Sequence, residues 1–170
     1  MAINFPEGTQ NFPSKILQVQ SVTKTDRYSA TSNNSSQQIT GLAVSITPQS
    51  SSNKVFIMYT VHTAVGGSYG GQAIRLVRNN NTFICAPTSY GNRNTGTSKC
   101  IGSAPNREYP FPTNQHFLDS PNTTSSTTYS LHHFDPSGYN SIVVNGNMND
   151  SNDLGYGRFT SSITVMEIEA

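Results

Sequence analysis

Apolar and polar residues alternate with a period of two along much of the chain. The pattern runs through Leu17 and Val19 and returns at Leu42, Val44 and Ile46. Successive side chains of a strand point to opposite faces of a sheet, so this period predicts half-buried β-strands. No stretch shows the 3.6-residue period of an amphipathic helix. We count about eight to ten strands, which predicts an all-β sandwich or barrel.

Two of the predicted strands, at 54–65 and 159–168, are apolar on both faces. A strand of this kind is covered on both sides. The opposite sheet supplies one cover, and a second copy of the chain would supply the other, which predicts a homo-oligomer. The residues that we expect at this interface are Phe56, Met58, Ile163 and Val165.

The first thirteen residues show no periodicity and contain two Phe-Pro pairs. A residue that precedes proline is held out of the helical region, so this segment is expected to be extended. We predict a docking arm over residues 1–13 and one β-domain over residues 14–170. The apolar side chains with which the arm would dock onto another protein are Ile3, Phe5 and Phe12.

A long excursion at 87–115 is rich in Gly, Pro, Asn and Tyr. Ordered loops on a rigid sandwich are common places for binding. The segment combines rigid aromatic side chains with planar cationic donors, which recognition surfaces favour. The predicted ligand-binding residues are Tyr90, Arg93, Arg107, Tyr109 and Phe111. The alternative is that these side chains pack inside the domain.

The charge of the chain is low. Charged residues make up 11% of it and the formal net charge is +1, whereas an average globular chain is roughly 25% charged. So weak a field attracts neither phosphate backbones nor anionic lipids, and we expect no nucleic-acid partner. There is neither a signal-peptide pattern nor a run of about 18 apolar residues, so we expect no membrane insertion.

Two cysteines, Cys85 and Cys100, can form at most one disulfide, which does not make a disulfide scaffold. We favour free thiols and leave the bridge open.

Four histidines raise the question of a metal site. His132 and His133 are neighbours on a predicted strand and point to opposite faces, so they cannot share one ion. The alternative is a metal site on a threefold axis, with one His62 from each of three copies as its ligands. Residues 150–155 resemble the start of a calcium loop, but Leu154 stands at position five of the loop, where a ligand belongs. We predict no metal and no cofactor.

The sequence shows no catalytic signature. It has neither a Gly-x-Ser-x-Gly elbow nor a phosphate-binding glycine loop, and nothing marks two of its nine acidic residues as a catalytic pair. We predict no catalytic residues and no enzyme activity. A polysaccharide depolymerase is the weaker alternative, because pairs that form in space are invisible in a sequence.

Soft strand-and-turn motifs carry a family resemblance. They are KILQV at 15–19, ITGLAVSITP at 39–48, FLDSP at 117–121 and ITVMEI at 163–168. In these motifs the chain resembles virion structural proteins of marine tailed bacteriophages, particularly cyanophages, from residue 14 onward.

The resemblance implies a trimeric jelly roll similar to the tumour-necrosis-factor and complement C1q heads. It implies a place on the virion surface, after assembly in the host cytoplasm, as a tail-fibre tip or a head or capsid decoration. The implied roles are host attachment, with a surface glycan as the ligand, or particle stabilisation. Other virion proteins would be the partners of the arm. A stand-alone carbohydrate-binding β-sandwich is the alternative function.

Overall fold

The computed structural model describes residues 15–31, 33–66, 72–89, 91, 93–100, 109–138 and 140–170. These residues form strands and include no helix that could cross a membrane. The predicted arm at 1–13 lies outside them. In chain order the strands are β1 (Ile16–Lys24), β2 (Tyr28–Thr31), β3 (Gln37–Ile46), β4 (Lys54–Gly66), β5 (Ala73–Arg78), β6 (Thr82–Ile84), β7 (Ser98–Lys99), β8 (Phe111–Asp119), β9 (Thr127–Phe134), β10 (Ser141–Val144) and β11 (Ser161–Ile168).

The strands form two antiparallel sheets. Sheet A has the order β1-β11-β4-β8 over the first half of β4. Past the first residues of β11, the same edge of β4 pairs with β10 instead. The other edge of β10 pairs with β2. Sheet B has the order β3-β9-β5-β6, and the short β7 pairs with the first residues of β5.

Eight of the described strands pair in a nested order. When β2, β7 and β10 are left aside, the first strand pairs with the last as β1–β11, and the second pairs with the seventh as β3–β9. The inner pairs are β4–β8 and β5–β6. This nesting wraps one long hairpin around itself and is the topology of a jelly roll. The predicted fold class, an all-β jelly-roll sandwich, is confirmed.

The two sheets pack face to face around an apolar core. Val55, Ile57 and Tyr59 point inward from β4, and Leu76 and Leu131 meet them from sheet B, each no more than 3% exposed. Removing these side chains from water is the main stabilising contribution to the fold. Of the two apolar faces predicted for β4, the one that contains Val55 and Ile57 therefore faces the core.

The turn between β5 and β6 follows its sequence. Asn79 and Asn80 adopt positive φ angles of 51° and 60°, and Arg78 pairs with Thr82 across the turn. Asparagine tolerates this backbone region better than other residues that carry a Cβ, which is why it is favoured in tight hairpins. The run of three asparagines therefore forms the turn of the hairpin between β5 and β6.

The strand β8 begins earlier than the sequence indicated. We expected a strand only from His116 to Asp119, whereas β8 starts at Phe111 and pairs with β4 along its whole length. Its first half contains Pro112 and mainly polar residues, so alternation is weak there. That composition is typical of an edge strand, which tolerates proline because one side has no neighbour to pair with.

Glu167 is a fully buried carboxylate that joins three parts of the chain. Its Oε1 accepts hydrogen bonds from the Gln49 amide at 2.7 Å and from Asn53 Nδ2 at 2.6 Å, and its Oε2 accepts one from Gln18 Nε2 at 2.6 Å. Burial alone would raise the pKa of Glu167, but these hydrogen bonds outweigh burial and hold the pKa below its usual range. The carboxylate thereby fastens β11 to β1 and to the β3–β4 connection.

Replacing Glu167 tests this clamp. Glu167→Ala leaves three donors without their acceptor, the buried amide of Asn53 among them, and should lower the free energy of unfolding by about 3 kcal/mol. Glu169→Ala is the matched control, because that carboxylate is 45% exposed and lies 3.9 Å from Lys15 Nζ. It should change stability by less than about 1 kcal/mol. Urea unfolding followed by circular dichroism measures both, and equal midpoints for the two variants would show that the clamp contributes nothing.

His133 is a fully buried imidazole on the inner face of β9. Its Nε2 lies 3.3 Å from the hydroxyl of Tyr28. Burial, with the charge of neighbouring His132 as the smaller cause, lowers the pKa of His133 from 6.5 to about 4. The imidazole therefore stays neutral in the folded chain at neutral pH.

This neutral imidazole should make the fold sensitive to acid. The unfolded chain binds a proton at His133 below pH 6.5 and the folded chain only near pH 4, so stability is complete above pH 6.5 and falls as the pH drops. The loss of stability from this group between pH 7 and pH 4.5 is on the order of 2 kcal/mol. Urea midpoints at the two pH values should differ less for His133→Gln than for the wild type. The control His116→Gln should keep the wild-type difference, and a His133→Gln profile that matches the wild type would refute the assignment.

Candidate functional site

The two ends of the sandwich differ. At one end, which we call the base, the Glu169 amide donates a hydrogen bond to the Lys15 carbonyl at 2.9 Å. Lys54, the first residue of β4, pairs with Ile168 at the base, and β4 ends at Gly66 at the opposite end, which we call the loop end. The strand ends that flank three long connections lie at the loop end; these connections are 67–72, 100–110 and 145–160.

The outer side of sheet A is apolar near the base. Val19 pairs with Met166, Met166 with Phe56, and Phe56 with Leu118, so these side chains form one row across four strands. Val19 is 50% exposed and Leu118 is 52% exposed, and Met58 in the next row is 39% exposed. We call this surface the open face; its residues are Val19, Phe56, Met58, His116, Leu118, Thr164 and Met166.

The open face has almost no charge. Beside its apolar row lies a groove of about 490 Å³, whose polar lining comes from neutral side chains such as Thr60, Asn114 and Ser162. Lys54 stands at the edge of the face, where its Nζ donates a hydrogen bond to Ser120 Oγ at 2.9 Å. The face can therefore be covered without desolvating several charges, which is the main cost of burying a surface.

The other half of this side of sheet A is covered by the chain itself. Phe159 stacks on His62 with ring centroids 5.3 Å apart, and Met148 packs against Gly66. Ala64 lies beneath this segment and is fully buried, although it points outward from β4 like Phe56. The segment 145–160 thus covers the loop-end half, and no described residue covers the base half in the same way.

The structure separates the four predicted interface residues. Phe56 and Met58 point outward and belong to the open face. Ile163 and Val165 point inward and are 0% exposed, so they form part of the chain's own core and are not available to a second copy. The outward residues of β11 are the alternate ones, Ser162, Thr164, Met166 and Ile168. Because β11 is apolar on both faces, its sequence pattern could not show which set was inward.

Two of the five predicted ligand-binding residues, Tyr109 and Phe111, are partly exposed aromatic side chains at the loop end. Tyr109 is 46% exposed and stacks on Tyr156 with centroids 6.5 Å apart and planes 13° apart. Phe111 is 37% exposed at the start of β8. The sequence analysis missed Tyr156 and Phe159, which lie in the glycine-rich run 155–159 and show no periodicity.

Of the other three predicted ligand-binding residues, Arg93 lies in the described part of the chain. Arg93 is exposed. Tyr90 and Arg107 lie outside the described residues, as do the arm residues Ile3, Phe5 and Phe12.

A cavity of about 470 Å³ lies where β5 and β7 meet residues 87–97. Gln72 lines it and is fully buried. Its Nε2 donates a hydrogen bond to the Asn140 carbonyl at 3.0 Å, whereas its Oε1 has no hydrogen-bond partner among the described residues. The cavity is also lined by Pro87, Asn94, Thr97, Ser98 and Lys99.

His132 and His133 lie apart from these surfaces, whereas Cys100 lies beside the cavity, where its amide donates a hydrogen bond to the Gln72 carbonyl at 3.0 Å. His132 bonds to Ser36 and Ser130, and His133 contacts Tyr28 on the opposite face of β9. In the part of the chain that the structure describes, no three His, Cys, Asp or Glu side chains gather as a metal site.

Both cysteines are free thiols in the structure. Burial raises the pKa of Cys100 to about 12, and it also raises the pKa of Cys85. Both thiols therefore stay protonated and unreactive at neutral pH.

The nested pairing and the two packed sheets define this chain as a jelly-roll β-sandwich protein. No protein-family model and no curated protein sequence matches it. Among solved structures it is similar to the VP2 subviral particle of infectious bursal disease virus, with a TM-score of 0.35 and 12% identity over 99% of this chain. The chain spans 45% of the length of that protein. A TM-score this low does not extend the role of that protein to this chain.

Proposed function

We propose that this chain is a non-enzymatic structural protein of a virus particle. In this proposal three copies form a surface appendage or decoration that docks at its base and presents its loop end outward. The observation that carries the proposal is the open face, an uncharged apolar surface that the described chain leaves uncovered. The phage-like motifs of the sequence support the virion setting and the threefold symmetry.

The size of the open face indicates how copies would meet. Four strands and two rows of outward side chains span a flat area of roughly 260 Å². A standard protein interface removes about 800 Å² from each partner, so a second surface has to contribute. Among the described residues, the outer edge of β8 pairs with no strand, and this edge adjoins the open face.

Packing the β8 edge of one copy against the open face of the next joins two different surfaces. Contacts of this kind are heterologous and close into a ring when the rotation between copies allows it. A ring of three is therefore the arrangement that we propose. Because the open face is nearly uncharged, copies do not repel one another there.

Docking at the base follows from where the chain enters the sandwich. Lys15 precedes β1 at the base, so residues 1–13 are attached at that end. An arm with Ile3, Phe5 and Phe12 would supply apolar anchors for another virion protein. The long connections lie at the opposite end, which is the end left free for attachment to a host surface.

The solution mass tests the ring. Light scattering of the purified protein should give three times the chain mass of 18.4 kDa. Met58→Asp places a charge in the centre of the open face and should convert the trimer to a monomer without unfolding it, because Met58 is exposed in the single chain. Leu154→Asp is the matched control; Leu154 is a fully exposed apolar residue away from the open face and should leave the trimer intact. A monomeric wild type, or a trimer that survives Met58→Asp, would overturn the proposed ring.

Deleting residues 2–13 tests the docking arm separately. The shortened chain should keep the trimer mass, because the open face is unchanged. It should no longer be incorporated when it replaces the full chain during particle assembly, which electrophoresis of purified particles measures. Normal incorporation of the shortened chain would exclude the arm as the anchor.

A further inference from the structure

We propose that the ring of three copies is sensitive to acid, and that His116 is the group through which protons separate the copies. This rests on the proposed function, in which the open face of one copy packs against the β8 edge of the next. His116 belongs to both surfaces, because it lies on β8 and pairs with the outward residue Met58 in the open face. Its side chain is exposed in the single chain, so association would move the imidazole out of water.

In the described structure, His116 is the single titratable side chain among the residues that define the open face. The centre of its ring lies 5.9 Å from that of Phe56. It also lines the groove of about 490 Å³, together with the neutral side chains of Thr60, Asn114 and Ser162. None of these neighbours is acidic, so a charged imidazole would find no carboxylate among them.

The acidic groups of the surrounding strands point away from the open face. Asp119 ends β8 on the inner side, where Arg78 Nη1 lies 2.8 Å from it, and Glu167 of β11 is fully buried in the clamp at the base. The hydroxyl of Tyr59 is likewise inside, beside β7. β1 and β4 contain no acidic residue. The edge of β8 that the next copy presents has Asp119 as its one acidic residue, so the contact brings no exposed carboxylate to His116 from that strand.

Three groups around His116 carry or can gain a positive charge. Lys54 and His62 lie on β4, each four residues from Met58, which is about 13 Å along the strand. Lys99 is exposed on β7, which contacts β8. Positive charges oppose the uptake of a further proton. These surroundings therefore act on His116 in the same direction as the covering of the face.

Covering His116 changes how strongly it binds a proton. In water a histidine side chain is half protonated near pH 6.5. An apolar contact without a carboxylate penalises the charged imidazolium far more than the neutral imidazole, so assembled copies bind the proton less tightly than separate copies do. Association is therefore strongest above about pH 6.5 and weakens as the pH falls below that value.

The effect multiplies over the three copies. Between pH 7.5 and pH 5.5, exclusion of one proton lowers the association constant about tenfold for each covered imidazole, or about a thousandfold for the ring. The concentration at which half of the chains are assembled then rises about thirtyfold, because three copies combine in one ring. His116 is exposed in the single chain, so it does not enter urea midpoints that are measured on dissociated protein.

Light scattering of the full-length protein over a dilution series, at pH 7.5 and pH 5.5, measures this effect. The wild type should show the rise in half-assembly concentration at pH 5.5, whereas His116→Gln, which stays neutral, should give equal values at both. His116→Lys is charged throughout and should assemble at pH 7.5 as poorly as the wild type does at pH 5.5. His62→Gln is the matched control and should keep the wild-type dependence, because His62 lies outside the open face. Circular dichroism at both pH values checks that each chain is folded.

The outcomes separate this inference from the proposed function. A trimeric wild type with equal half-assembly concentrations at the two pH values, or a His116→Gln variant that keeps the wild-type dependence, overturns the acid sensitivity and leaves the ring standing. A wild type that is monomeric at both pH values overturns the ring and the acid sensitivity together. Where His116→Gln does not assemble, His116→Lys decides: assembly equal to that of the wild type at pH 7.5 overturns the role of His116.

Discussion

The pairing of β4 with three other strands is the constraint on which sheet A depends. One edge of β4 holds β8 along its length, and the other holds β11 near the base and β10 near the loop end. This pairing sets the register of every neighbour, and with it the side of the sheet on which each side chain lies. The inward residues of β4 build the core, and its outward residues Phe56 and Met58 build the centre of the open face.

Two buried carboxylates then fasten the sandwich to itself. Glu167 ties β11 to β1 and to the β3–β4 connection, and Asp119 accepts hydrogen bonds from Arg78 at 2.8 Å and from the Tyr129 hydroxyl at 2.7 Å, which joins β8 of sheet A to sheet B. Both carboxylates act at the base. The two carboxylates therefore brace the same end of the sandwich, one between strands of sheet A and one between the two sheets.

Alternation predicted the fold class because a two-residue period follows directly from strand geometry. Alternation could not show which face of β11 points inward, because Ile163 and Met166 are both apolar. The structure settles this through the pairing of Met166 with the outward residue Phe56. Alternation also could not foresee the role of Glu167, whose partner Gln18 lies 149 residues away, or the cavity at Gln72, which exists only where β5 and β7 meet. The roles assigned from the sequence to Phe56 and Met58 at an interface, and to Tyr109 and Phe111 in ligand binding, remain predictions.

The pairing of β1 with β11 has a consequence for how the protein is made. Ile16 lies opposite Ile168, and β11 stands between β1 and β4. During synthesis, β1 leaves the ribosome long before the strand that has to sit beside it, so sheet A cannot close until the last strand has been translated. Contacts so distant in sequence form late and slowly. A chain that lacks β11 would lack the middle of sheet A and the part of the open face that Thr164 and Met166 form, so the complete sheet exists only in fully synthesised copies.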